Sequence, residues 1–324
     1  MLNVYCNFYN TNPLYDNTKR WKGKTEHIMK LINKTNINFI NKTKIALICS
    51  TIMISIGLIS LFINKGPNLS IDFTGGAIIQ ILFDEDLKID ELRAALKSTP
   101  LDKSEITKFG KNNEYRIKTS ITNKSQDINN ILSNNLSIYN YEIRRIENVG
   151  PKIGNELQLQ AIYAIALALL MLMIYIGFRF DRFYSFGSVA AIFHDILFTL
   201  GIFSIFNLEI DLSIIAAFLT IVGYSLNDTI VIFDRFRENS QKDLKLTMPE
   251  IANLSLNQTL SRTIITSFTT LLVVMILYFI GGEVIKYFAF ALIVGVLVGT
   301  YSSIFIASPF MLYLKSKSKI EEEE

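Results

Sequence analysis

Two charged residues lie inside or beside long apolar stretches of the chain, where charge is rare. Asp228 lies near the end of the apolar run Leu212–Phe233, and Arg262 directly precedes the apolar run Thr263–Ile280. A charged side chain at the centre of a membrane helix costs about 2.5–3.5 kcal/mol even on lenient scales, so such residues usually mark a path for ions or substrate. The pair predicts a proton relay, in which Asp228 takes up and releases a proton and Arg262, which keeps its own, is the counter-charge.

The depth of Asp228 follows from its distance to the next charged residue. Asp234 comes six residues later, which places Asp228 about 9 Å from the polar end of the helix at 1.5 Å per residue. The carboxylate is therefore expected in the cytoplasmic half of its span and not at the midplane. The alternative is structural: Asp228 pairs with a neighbouring helix only to hold the bundle together, and Arg262 is an ordinary flanking residue.

Several other polar side chains lie within the apolar runs. Five hydroxyl residues follow Arg262, namely Thr263, Thr266, Ser267, Thr269 and Thr270. They either bond to carbonyls of their own helix and to neighbouring helices, or line a water-filled path from the charged pair to the outside. His194 and Asp195 lie near the middle of another run and form either a structural pair or a second proton station. Gly295 and Gly299 form a GxxxG pattern, which favours close contact between helices.

The composition indicates a membrane protein with one polar domain. Half of the 324 residues are apolar, only 19% are charged, and the mean hydropathy is +0.32, which is too apolar for a soluble globular protein. The two cysteines are isolated and there are two histidines, so we expect no disulfide framework, no metal site and no cofactor. The absence of a nucleophile or nucleotide motif argues against an enzyme. No basic patch with interleaved aromatic residues favours nucleic acid as a partner.

The apolar runs predict six transmembrane helices. They are Ile45–Ile63, Leu157–Phe178, Tyr184–Phe206, Leu212–Phe233, Thr263–Ile280 and Val284–Leu314. Ser308 and Pro309 are expected to end the spanning part of the last run. A separate short helix along the membrane surface is expected within Pro249–Leu260, where Asn and Gln alternate with apolar residues.

The charges of the loops predict that both termini lie in the cytoplasm. The segment 1–44 is a basic tail, and basic residues also occur in the loops 178–183 and 234–262 and in the tail 315–324, whereas the loops 207–211 and 281–283 contain no Lys or Arg. Cytoplasmic loops carry the excess of Lys and Arg in membrane proteins. The basic tail is either solvated or in contact with anionic membrane lipids.

The polar block 64–156 is then a small external domain. It contains thirteen basic and thirteen acidic residues and alternates between strand and helix patterns. Strands are predicted at 76–83, 114–119 and 139–146, and helices at 89–97, with Asp90 as a possible N-cap, and at 126–132. This predicts an α+β domain of three or four strands and two helices. Residues 157–314 form the remaining bundle.

Several motifs in this order resemble the SecF family. They are IDFTGG at 71–76, VGPKIGNEL at 149–157, HD at 194–195, SLND followed by IVIFDRFREN at 225–239, and LSRT at 260–263. SecF is the smaller half of the bacterial SecDF translocation factor, which is related to resistance–nodulation–division transporters. The resemblance covers about residues 45–312, so the tail 1–44 lies largely outside it.

The resemblance implies a fold, a site and partners. SecF-like proteins are inner-membrane proteins with six membrane helices and a small periplasmic domain. They pair with SecD and attach to the SecYEG channel. They use the proton-motive force to help move unfolded exported polypeptides. In that family the acidic residue of the fourth helix and the Arg near the fifth belong to the proton pathway, and they match Asp228 and Arg262. The motif with Asp72, Gly75 and Gly76 is implied to join the domain to the bundle, together with residues 149–157, as a hinge.

Two other functions remain open on this basis. One is a subunit of a proton-coupled small-molecule transporter of the same superfamily. The other is a non-transporting membrane scaffold, in which the charges serve structure alone. Co-purification with SecD and SecYEG would favour export over both.

Overall fold

The computed structural model of the protein describes residues 35–110, 113–119, 125–242 and 245–323. Within this part of the chain, six helices are long and apolar enough to cross a membrane. They are α1 (Phe39–Ile63), α5 (Pro151–Arg179), α6 (Arg182–Ile205), α7 (Leu212–Ser240), α8 (Met248–Ile280) and a sixth helix made of α9 (Glu283–Ser302), a π-helical turn (Ser303–Ala307) and α10 (Ser308–Glu323). The predicted six-helix architecture is confirmed.

Three of these helices form the centre of the bundle. About half of the most apolar segment is buried in α6, in α7 and in the sixth helix, against 6–11% in α1, α5 and α8. An apolar helix that leaves most of its surface uncovered must face lipid or another membrane protein. The helices α6, α7 and α9 therefore form the interior, and α1, α5 and α8 surround it.

One helical prediction at the end of the bundle opposite the sheet is wrong, and another prediction concerns Pro309. The segment 249–260 is not a separate surface helix but the first part of α8, which Thr247 and Glu250 start with a capping box. The sixth helix does not end at Pro309 but continues through α10; that its spanning part ends at Ser308 and Pro309 stays a prediction. The π-helical turn Ser303–Ala307 changes the backbone hydrogen-bond pattern directly before this proline, whose missing N–H would otherwise interrupt the helix.

Other helices begin earlier than the apolar runs suggested. The helix α1 begins at Phe39, where the side chain of Asn38 accepts a hydrogen bond from the backbone N–H of Asn41. The helix α5 begins at Pro151, a residue that favours the first helical position. The sequence also favours a short surface helix at residues 22–39, but most of that segment lies outside the described residues.

The polar domain predicted within residues 64–156 is a four-stranded antiparallel sheet with helices on one face. Its strands are β1 (Gly76–Phe83), β2 (Glu105–Lys108), β3 (Glu114–Thr119) and β4 (Tyr141–Val149), in the order β2-β3-β1-β4. Its helices are α2 (Ile71–Thr74), α3 (Ile89–Ala95) and α4 (Ser125–Asn135). Asp90 does not cap α3, because Lys88 occupies the N-cap position without a side-chain bond.

Alternate residues of β1 build the core of this domain. Ile79, Ile81 and Phe83 are buried and pack in one apolar cluster with Leu92 of α3 and Leu132 of α4. Period-two burial is expected for a sheet that has one covered face. The other face of the sheet carries charged side chains and is turned towards the outer end of the bundle, as its ion pair between Lys118 and Glu209 indicates.

The two glycine-containing motifs meet where the domain joins the bundle. Gly76 pairs with Val149 at the ends of β1 and β4. Gly75 and Gly76 have φ angles of 74° and 137°, which side chains other than glycine rarely adopt. A Cβ atom on Gly154 of α5 would lie 2.7 Å from the carbonyl oxygen of Phe73, so the two backbones are in direct contact.

Further contacts fasten the same joint. The Asp72 carboxylate accepts a hydrogen bond from the backbone N–H of Leu212 at the start of α7 (3.1 Å). The Gln158 side chain donates to the carbonyl oxygen of Phe73 (2.9 Å). Leu69 and Ile210 form an isolated β-bridge. The domain is thus attached to α5, to α7 and to the loop between α6 and α7, and the joint is packed more closely than a free hinge would be.

The joint yields a test with a matched control. Gly154→Ala is expected to lower the free energy of unfolding by about 1–3 kcal/mol, because the added methyl group has no space beside Phe73. Gly150→Ala makes the same change four residues earlier, where a Cβ meets nothing within 4 Å. Thermal unfolding of the two purified variants in detergent measures the difference, and equal stability would contradict a close-packed joint.

Candidate functional site in the helical bundle

Asp228 lies inside the bundle on α7, with few partners. Asp228 is only 3% exposed. The hydroxyl of Ser267 on α8 donates to its Oδ2 atom at 3.5 Å, a long contact. Ser267 itself lies 2.7 Å from the hydroxyl of Thr300 on α9. Three neighbouring helices therefore meet at a carboxylate that is buried but weakly bonded.

Arg262 is a neighbour of Asp228 without forming an ion pair. It lies on the outer surface of α8, near the middle of that helix and not at its start. Its charge is within electrostatic range of Asp228, but the ion pairs within 4 Å among the described residues do not include these two. A guanidinium beside a carboxylate, without a close bond, can stabilise its charge and still leave it free to exchange a proton.

The hydroxyls that follow Arg262 divide into two groups. Thr266, Thr269 and Thr270 bond to carbonyl oxygens of α8 itself, as expected for hydroxyls within helices. Ser267 instead reaches across to α7 and α9. Thr263 is buried and its hydroxyl has no partner within the described part of the chain.

Asp195 on α6 is the most deeply buried carboxylate in the described residues. It has no exposed surface. The hydroxyls of Ser225 on α7 and Ser302 on α9 donate to its Oδ2 atom at 2.6 and 2.8 Å. Its Oδ1 atom lies 2.9 Å from Nδ1 of His194. Both carboxylate oxygens are therefore satisfied, as buried charged groups require.

His194 extends this network to α1. Its Nε2 atom lies 2.7 Å from the hydroxyl of Ser50, which is 3.2 Å from the hydroxyl of Tyr301. Tyr301 donates to the carbonyl oxygen of Ala46 at 2.6 Å. His194 and Asp195 thus connect α1, α6, α7 and α9 through hydroxyl side chains. The two residues were predicted as a pair because they are adjacent in the sequence.

A second set of hydroxyls links the two carboxylate regions. Thr229, the residue after Asp228, lies 2.8 Å from the hydroxyl of Ser303 at the start of the π-helical turn. Ser303 follows Ser302, which bonds to Asp195. The roles of Ser225, Ser302 and Ser303 were not predicted from the sequence, in which the adjacent serines 302 and 303 within an apolar run were the available signal.

Close packing of α9 on α7 brings these hydroxyls together. A Cβ atom on Gly295 would overlap the side chain of Ile221, and one on Gly299 would lie 3.0 Å from the Cβ of Ser225. The GxxxG pattern therefore marks a true helix contact, as predicted. A larger residue at Gly299 would push α9 away from the serine that bonds to Asp195.

The fold and site define a multi-pass membrane protein with ionisable groups inside its helical bundle, and similarity identifies its family. Residues 128–317 match the family model of protein export membrane protein SecD/SecF, C-terminal, and residues 60–86 match the SecD/SecF GG motif. The chain therefore belongs to the SecD/SecF family of protein export membrane proteins, within which its relatives are SecF subunits.

Two relatives illustrate the extent of the match. Protein translocase subunit SecF of Desulfurispirillum indicum is 43% identical over 87% of this chain and 92% of its own length. Protein translocase subunit SecF of Haemophilus influenzae is 41% identical over 88% of this chain and 90% of its own length. The resemblance to SecF noted from the motifs is confirmed.

Solved structures support the fold. The crystal structure of SecDF, a translocon-associated membrane protein from Thermus thermophilus, matches with a TM-score of 0.78 and 35% identity over 87% of this chain. The crystal structure of SecDF in a super-membrane-facing form matches with a TM-score of 0.67 over 89% of this chain. The chain spans only 39–40% of the length of those two structures.

The serine donors of Asp195 can be tested by stability. Removing both hydroxyls in Ser225→Ala/Ser302→Ala is expected to cost about 1–3 kcal/mol, because a buried carboxylate loses donors that water cannot replace. Ser188→Ala is the control, since the buried Ser188 hydroxyl bonds only to the carbonyl of Tyr184 in its own helix. If the double variant unfolds at the same temperature as the control, the hydroxyls do not support Asp195.

Proposed function

We propose that this chain is the SecF subunit of a bacterial export factor, which uses the proton-motive force to help unfolded polypeptides across the inner membrane. It pairs with SecD and acts at the SecYEG channel, with both termini in the cytoplasm and the small domain in the periplasm. Support comes from relatives that are named protein translocase subunits and from the similarity to SecDF, which is described as translocon-associated. The basic tails and loops support the orientation.

The observation that carries the proton-coupled part is the contrast between the two buried carboxylates. Asp195 is held by two hydroxyl donors and faces a histidine at 2.9 Å. Asp228 has one long contact from Ser267 and a charged neighbour, Arg262, within electrostatic range. A carboxylate whose charged form is only partly satisfied can change its protonation with little rearrangement of its surroundings. Asp228 is the proton carrier in this proposal, and the His194–Asp195 pair is mainly structural.

The available energy limits what one proton can do. Moving one charge through 100 mV is worth about 2.3 kcal/mol, which changes a two-state equilibrium roughly fiftyfold. That is enough to bias a movement of helices but not to unfold a protein. The substrate is therefore an already unfolded chain, and the subunit assists translocation in small steps.

The close-packed joint determines how a movement would reach the periplasm. Asp72, Gly154 and Gln158 connect the domain directly to α5 and α7, and α7 carries Asp228. A change in the packing of α7 would move the domain together with the outer ends of these helices. In this proposal the glycine motifs transmit the movement as a rigid joint and do not act as a loose hinge.

The exposed face of α7 supports a partner inside the membrane. Ala216, Thr220, Gly223 and Asn227 recur at helical spacing and are all exposed, although α7 is a central helix of the bundle. Small and polar residues at helix spacing favour contact with another membrane helix over contact with lipid. We assign this face to SecD, whose carboxylate would join Asp228 and Arg262 as the third member of the site.

The proton relay is tested by substitution at the two charged residues. Asp228→Asn and Arg262→Ala are each expected to reduce export in inverted membrane vesicles to the level seen without a proton gradient. Asp234→Asn removes a carboxylate from the same helix, but at the exposed end, where it pairs with Arg179 at 3.5 Å. This control should keep gradient-dependent export.

Two outcomes would contradict this assignment. Full gradient-dependent export by both variants would remove the relay and leave the scaffold function. Equal loss in the Asp234 control would show that any change of charge on α7 disturbs the complex.

The contact with SecD is tested at Gly223. A Cβ atom at this position meets nothing within 4 Å in this chain, so Gly223→Leu is expected to leave the subunit folded and to reduce its co-purification with SecD at least tenfold. Thr51→Leu places the same side chain on an exposed position of α1 and should co-purify normally. Unchanged recovery of SecD with Gly223→Leu would place the interface elsewhere.

A further inference from the structure

An apolar groove opens at the cytoplasmic side of the bundle in the proposed orientation. It lies between the beginnings of α1 and α8 and the helix α10, and its volume is about 620 Å³, within the range of ~300–1,000 Å³ common for small-molecule sites. Its walls include Ile40, Met248, Pro309 and Leu312. Nothing in the proton relay or the domain joint uses this groove.

Two lysines line the groove at the edge of the apolar part of the membrane. Lys44 is the last charged residue before the apolar run of α1, and Lys315 is the first charged residue after the apolar run of the sixth helix. The ammonium group of Lys315 lies 5.6 and 5.7 Å from the ring centroids of Tyr184 and Phe236, which orients its side chain. Two positively charged side chains therefore line an apolar groove at the ends of two membrane helices.

We propose that this groove binds an anionic phospholipid. Its phosphate would lie between Lys44 and Lys315, and an acyl chain would cover Pro309 and Leu312. Basic residues beside membrane helices attract anionic lipid headgroups, and a long acyl chain matches the apolar side chains that line the groove. Phosphatidylglycerol or cardiolipin provides this chemistry, and phosphatidylcholine, which has no net charge, does not.

Charge argues against the most obvious other occupant, the preceding part of the chain. Residues 1–34 carry six basic and two acidic residues, so they would bring further positive charge towards Lys44 and Lys315. An anionic lipid headgroup brings negative charge to the same part of the groove. The inference does not depend on the export function, because lipid binding is measured without any translocation.

Native mass spectrometry of the purified full-length protein with added phospholipids measures the binding. The protein is expected to retain phosphatidylglycerol in preference to phosphatidylcholine, and each lysine near an anionic phosphate should contribute about fivefold to the affinity. Lys44→Gln/Lys315→Gln is therefore expected to remove most of the preference. Lys42→Gln/Lys317→Gln is the matched control, since it removes the same charge from the same helices at positions that do not line the groove.

A second variant separates the groove from the charge. Ser316→Trp fills the exposed outer end of the groove and keeps both lysines, so it should reduce phosphatidylglycerol binding while the protein remains folded. If both lysine pairs weaken binding equally, the effect is general electrostatic attraction to the membrane and the site is refuted. Unchanged binding by the tryptophan variant would also refute it.

The occupant in the native membrane is identified by photo-cross-linking. A photoreactive amino acid replaces Ser316 in the full-length protein, and the adducts are identified by mass spectrometry. A phospholipid adduct supports the proposal. An adduct with residues 1–34, with a second copy or with another protein overturns it.

Discussion

The cost of holding a carboxylate away from water governs the structure of this bundle. A buried charge must be paired or well bonded, because the interior cannot replace the hydration it loses. Asp195 meets this demand through Ser225, Ser302 and His194, which belong to three helices. Those helices cannot separate without breaking the bonds, so Asp195 fixes their arrangement. Asp228, one helix away, meets the same demand only partly through Ser267, and it is the carboxylate to which we assign the change of charge.

The short bonds at Asp195 require the helices to approach closely, and small residues make that approach possible. Gly295 and Gly299 place α9 directly on α7, and Gly57 and Gly201 do the same for α1 and α6, where a Cβ on Gly57 would lie 2.6 Å from the Cα of Gly201. Within membranes this packing replaces the hydrophobic effect as the source of helix association. The π-helical turn Ser303–Ala307 adds a local widening, and such turns often occur at functional sites. Here the turn presents Ser303 to Thr229, next to Asp228.

Much of the fold could be predicted from the sequence, because local residue patterns specify most of its helices and strands. The strands Gly76–Phe83 and Glu114–Thr119 have the predicted bounds, since alternating β-branched residues between turn signals are a local property. The strand Glu105–Lys108 was missed because it is a short edge strand with one buried residue. The first part of α8 is polar, and for this reason it was predicted as a separate surface helix and not as part of the membrane helix. Asp228, Arg262, His194 and Asp195 were recognised as charges in apolar runs, but the partners of Asp195 were not, because they lie on distant segments that only the tertiary fold brings together.

The joint between domain and bundle places a further condition on any mechanism. Backbone contact at Gly154, the Asp72 bond to Leu212 and the Lys118–Glu209 ion pair fasten the domain at several points. A loose hinge would let the domain move independently of the bundle, so a proton-driven movement of the helices would not be passed on to the domain. In the proposed function, a rigid joint passes a displacement of α7 to the whole domain. One charge moved through 100 mV releases about 2.3 kcal/mol. This energy suits the proposed subunit, which biases the motion of an unfolded chain and does not pull against a folded one.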